Sequence, residues 1–112
     1  MHNQIKESDW KVFKELRPLA LQRYCEKVMG DVNEIIRDSD KDAYDRYSKM
    51  YKIVRDGDKK LADMFDGFSR SRAFTQLLMY YEQGLLNEEE IDQLSDETRE
   101  RIRATLKLLK GK

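Results

Sequence analysis

The 112 residues hold one cysteine, one proline, one histidine and five glycines, and each scarcity excludes something. A lone thiol, Cys25, can form no internal disulfide, which argues against a stapled secreted scaffold and for a reducing compartment. Zinc needs several Cys and His ligands at close spacing, and His2 and Cys25 are all that is on offer. His2 stands at the terminus. Cys25 falls on an apolar stripe, where a free cysteine behaves as a small hydrophobe. With no second histidine there is no well-placed imidazole base, and neither a Gly-rich phosphate loop nor a G-x-S-x-G turn is present. No apolar run approaches the roughly 18 residues of a membrane span, and the first ten residues lack the apolar centre of a signal peptide. The expected location is therefore cytoplasmic, with no membrane partner.

Net charge is also missing. Lys and Arg number 22 and Asp and Glu 22, so a dedicated nucleic-acid binder, which carries surplus positive charge, is disfavoured except through a local patch. The charged share is nonetheless 39%, equal to the apolar share. Balanced charge with ten per cent aromatics argues for a folded chain with a heavily charged surface rather than for disorder. No segment alternates long enough for a strand, and helix formers dominate, so the expected fold is all-α: one domain, a compact antiparallel bundle of five or six helices.

Local signals divide the chain. Ser8 caps a first helix carrying Trp10 and Phe13, and Pro18, which has no N–H, predicts a break or sharp kink near Arg17. From Pro18 to Asp38, the residues Leu21, Tyr24, Cys25, Val28, Val32, Ile35 and Ile36 share a stripe at helical spacing. Ser39 with Asp42 predicts the cap of a third helix reaching Arg55, with Tyr44, Tyr47, Met50, Tyr51 and Val54 on one side. Asp56-Gly57-Asp58 predicts a stop and restart, and the next helix is expected from Lys59 to Gln83. Asn87 with Glu90 forms a capping box, Leu86 and Ile91 a hydrophobic staple, and Ser95 caps a last helix from Asp96 to Lys110.

Several constellations invite chemistry. Asp38, Asp40 and Asp42 open like a calcium loop, but Ala43 stands where glycine is needed and Lys49 where the bidentate acid is needed. Glu88, Glu89 and Glu90 are explained by the positive end of a helix dipole. No metal, cofactor or catalytic residue is expected. On the last helix Arg99, Arg103, Lys107 and Lys110 make a basic ridge, the weak candidate for phosphate contact. The acids between Glu82 and Glu97 are placed to pair with it. Arg72 falls on the centre line of the stripe Leu61, Met64, Phe65 and Phe68, so it is expected to be buried and paired with an acid. Phe74, Leu77, Leu78 and Tyr81 cover the opposite side and form the first candidate interface. Tyr44, Tyr47 and Tyr51 form the second, since tyrosine suits half-wet contact surfaces.

The stretches Asp58-Lys59-Lys60-Leu61-Ala62-Asp63-Met64-Phe65-Asp66 and Gly84-Leu85-Leu86-Asn87-Glu88-Glu89-Glu90-Ile91 resemble short all-helical bacterial proteins of no assigned function. The resemblance implies a bacterial cytosolic setting and carries no activity. The functional expectation is a non-enzymatic protein–protein interaction or regulatory module that associates with itself, with a homodimer as the simplest form. A nucleic-acid-associated protein using the last helix is the alternative.

Overall fold

The structure is a computed structural model that describes residues 5–111. It is all-α, with no strand among the described residues, and has five helices: α1 Glu7–Arg37, α2 Ala43–Phe65, α3 Arg70–Glu82, α4 Glu88–Ile91 and α5 Asp96–Lys110. Residue contacts separate into two units, one made of Leu21–Asp66 and the other of the segments on either side. The first part of α1 belongs to the flanking unit and the rest to Leu21–Asp66.

α1 runs unbroken through Pro18, against the expected break. The missing N–H removes one backbone bond. The residue is exposed, however, and the opposite side carries the buried row Phe13, Leu16, Ala20 and Tyr24. Packing of that row keeps the helix going.

In the flanking unit Phe13, Leu16, Ala73, Leu77, Tyr80, Ile91 and Ile102 are almost fully buried. Phe13 stacks on Tyr80 with ring centroids 6.1 Å apart and on Trp10 at 5.6 Å. Burial pushes the Tyr80 hydroxyl up to about 12, against the opposing charge of Arg17. The capping box of α4 forms as the sequence predicts: Glu90 N–H donates to Asn87 Oδ1 at 2.8 Å and Asn87 N–H to Glu90 Oε1 at 2.9 Å. Leu86 and Ile91 are both buried, as a staple requires.

Asp9 is the buried charge of this unit, 1% exposed. It accepts from the Ser95 N–H at 2.7 Å, the Ser95 hydroxyl at 2.7 Å and the Thr98 hydroxyl at 2.6 Å. A carboxylate is thus set against the N-terminus of α5, where the helix dipole favours it. Burial alone would raise its pKa. The hydrogen bonds from Thr98 and Ser95, with the charge of Lys6, outweigh that and hold it below the ordinary value.

Leu21–Asp66 is a two-helix hairpin. Asp42, not Ser39, caps α2, accepting from the Asp45 N–H at 2.8 Å. Asp38 and Asp40 form the turn before it, joined by the Asp40 N–H to Asp38 Oδ1 bond. Gly57 lies inside α2 rather than ending a helix. A Cβ there would meet Val28 at 3.4 Å, and the Tyr24 hydroxyl donates to the Gly57 carbonyl at 3.2 Å. The glycine therefore serves close approach of α1 and α2, not a turn.

The break expected at Gly57 occurs instead at Asp66–Ser69, where Gly67 takes φ +76°. This corrects the placement of Arg72. The stripe through Phe68 assumed one continuous helix, and the break resets its phase. Arg72 is exposed, its side chain lying across Gly67 with atoms 3.1 Å from where a Cβ would stand. At the start of α3 the arginine that bridges elements is Arg70. Its Nε donates to the Ile5 carbonyl at 2.8 Å and its guanidinium meets Glu7 at 3.1 Å.

Candidate functional site

The first candidate interface is mostly interior. Leu77 is fully buried and Phe74 nearly so, capped by the Arg101 guanidinium 3.8 Å from its ring centre. Leu78 and Tyr81 are half-buried. The Tyr81 hydroxyl donates to Glu88, which with burial raises its pKa, opposed by Arg103. α3 starts afresh at Arg70, and on this side Arg101 of α5 lies over Phe74 while Glu88 of α4 engages Tyr81.

The basic ridge is partly spoken for. Arg99 pairs with Asp96 and donates to the Asp92 carbonyl at 2.9 Å, and Arg103 meets Glu88 at 3.3 Å. Lys107 and Lys110 are exposed. Among the described residues no three His, Cys, Asp or Glu side chains gather to hold a metal, and no helix is long and apolar enough to cross a membrane. His2 lies outside the described residues.

The second candidate set stands differently. Tyr44, Tyr47 and Tyr51 are 79%, 65% and 60% exposed, along the N-terminal half of α2. On α1 Met29 and Ile36 are 61% and 51% exposed. At 100° per residue these five and Val54 occupy one arc on each helix, beside the line where the two helices meet. Between the helices on this side runs a groove of about 400 Å³, lined by Tyr24, Cys25, Val28, Met29 and Val32 from α1 and by Val54, Gly57, Asp58 and Leu61 from α2. The other side of the hairpin is mostly charged: Asp31, Glu34, Asp38, Lys41, Arg46 and Lys49, with Ile35 and Ile53, line a shallow depression there. Arg46 donates to the Ile36 carbonyl at 2.8 Å, tying α2 to the end of α1.

The hairpin is therefore amphipathic as a unit, one side apolar and the other mostly charged. Among the described residues of Leu21–Asp66 only Tyr24, Met64 and Phe65 are buried. Two helices in contact bury one sector of each. The stripe on α1 spans two sectors: Tyr24, Val28 and Ile35 toward α2, and Cys25, Met29, Val32 and Ile36 beside it. That breadth was visible in the sequence, and Met29 was the member it did not single out. Comparison with family models, curated proteins and solved structures finds no match to this chain.

Proposed function

We propose that this chain is a non-enzymatic protein–protein interaction module, set in a bacterial cytoplasm, that docks an apolar helical partner on the hairpin side carrying Met29, Ile36, Tyr47 and Tyr51. One observation carries the reading: six large apolar side chains lie exposed on one side of the hairpin while its opposite side is mostly charged. Contiguous apolar surface of this extent on a folded chain marks a contact site. The tyrosines suit it, presenting broad rings with a polar tip that tolerates water when the partner is absent. The alternative, phosphate contact through α5, draws less support because Arg99 and Arg103 already face acids of their own chain.

The test is positional. A photoreactive phenylalanine analogue replaces Tyr51 in one variant and Asp31, on the charged side, in another, and both are irradiated in the producing cell. The expected result is one discrete protein adduct from position 51, suppressed by Val54→Glu, and none from position 31. Equal labelling from both positions, or no protein adduct from position 51, overturns the docking surface.

A further inference from the structure

We propose that the occupant of this surface is the same surface of a second copy, arranged about a twofold axis running along the hairpin, so that α1 of each copy lies on α2 of the other. The inference rests on the docking reading above and names its partner.

Area is the first argument. A fully covered tyrosine contributes roughly 150–250 Å². Three tyrosines exposed by 60% or more, with Met29, Ile36 and Val54, amount to about 800 Å², the share one partner brings to a standard stable interface. A hairpin is one layer of helices, and a second hairpin supplies the missing layer with a surface of the same length and width. Twofold pairing of a patch with itself is the commonest way to close such a surface. The one acid lining the groove, Asp58, falls on the same arc as Tyr47 and Tyr51 one turn beyond Val54, so each copy brings a single negative charge to the pairing.

Charge at the margins sets the arrangement. The outer edge of α2 bears Lys52, Arg55 and Lys59, all exposed, with Arg55 over the Tyr51 ring and 3.6 Å from Asp56 of its own chain, an exposed pair that water screens. The outer edge of α1 bears Gln22, Glu26, Asn33 and Arg37, also exposed. Laying α2 on its own counterpart would set three cations against three, which costs affinity. Laying α1 on the partner's α2 with the axis along the hairpin keeps every residue at its own level. The levels are fixed by two bonds within the hairpin, Tyr24 to Gly57 and Arg46 to Ile36. On that scale Glu26 falls level with Arg55, and Arg37 falls near Tyr44 and Asp45, away from the three cations.

Sedimentation equilibrium of the full chain from about 1 μM to about 1 mM reads the association. Dimers are expected in that range. Tyr51→Glu, at an exposed position, should keep its helical circular dichroism and weaken dimerisation about 100-fold, because an unpaired charge would be desolvated. Arg55→Glu decides the arrangement. Set against Glu26 it should weaken the dimer about 3-fold to 10-fold, and adding Glu26→Arg should restore it. A tighter dimer from Arg55→Glu alone means α2 lies on α2 and overturns the axis. A wild-type monomer throughout the range, or a dimer indifferent to Tyr51→Glu, overturns the second copy as occupant. If such a monomer still gives the position-51 adduct in cells, the docking surface stands and its partner is another protein.

Discussion

The two units of this chain solve the same problem with different success. The unit flanking the hairpin sends residues from α1, α3, α4 and α5 into one interior, and Phe13, Leu77, Tyr80, Ile91 and Ile102 lose nearly all contact with water. The hairpin has two helices of similar composition and leaves most of its apolar side chains half-wet. Apolar residues are not scarcer there. A second layer is missing, and a single pair of helices encloses only the sector between them. A domain's stability is therefore expected to reside in the flanking unit, and its capacity to bind in the hairpin.

Substitutions in the two units test that contrast. The largest effect is expected from Leu77→Ala, which empties a fully buried site and should cost about 3 kcal/mol in urea unfolding. A cost near zero would mean that α3 is not interior. Asp9→Ala should come next, at about 2 kcal/mol, since it strips acceptors from the Ser95 N–H and from the Ser95 and Thr98 hydroxyls.

The same carboxylate gives the flanking unit an acid limit. Its folded pKa lies below the unfolded value. Its stabilisation is therefore complete above the unfolded pKa of about 4 and is lost as pH falls through the folded one. Acid titration of unfolding should show this loss in the wild type and a shallower slope in Asp9→Asn. Equal slopes would remove Asp9 from the account.

In the hairpin the expected effects are smaller, and one has the opposite sign. Gly30 sits within α1 with nothing within 4 Å of an added Cβ, so Gly30→Ala should raise stability by about 1 kcal/mol through helix propensity alone. Gly67→Ala, at the edge of the flanking unit, should go the other way, because φ +76° disfavours a side chain and Arg72 lies in its path. The smallest effect belongs to Tyr47→Ser. In dilute monomer it should shift unfolding by less than about 0.5 kcal/mol, as an exposed residue does. At high concentration the loss should grow if the proposed dimer forms, since association would add stability to the wild type alone.

Features that rest on neighbours a few residues apart are readable from the amino-acid order alone. Asn87 with Glu90, the staple of Leu86 and Ile91, and the Ser95 cap are local bonds, and the structure forms them where the spacing puts them. All-α content follows from the same short-range terms. The acids that engage Arg99 and Arg103 also stand within one or two helical elements of them, which made that pairing legible. Tertiary structure decided which of two similar signals prevailed. Asp56-Gly57 and Asp66-Gly67 read alike, yet the first stays helical because Val28 and Tyr24 pack against it, and the second becomes the turn. Pro18 is carried through because the far side of α1 is buried, and Arg72 is turned outward because the turn at Gly67 resets the phase of α3. Asp9 falls in step with Ile5, Phe13 and Leu16, but only α5 approaching from 86 residues away gives that acid its three donors. Helix phase and glycine strain are settled by contacts that no window of sequence contains, and so is the difference between a tyrosine that becomes core, Tyr80, and one left outside, Tyr47.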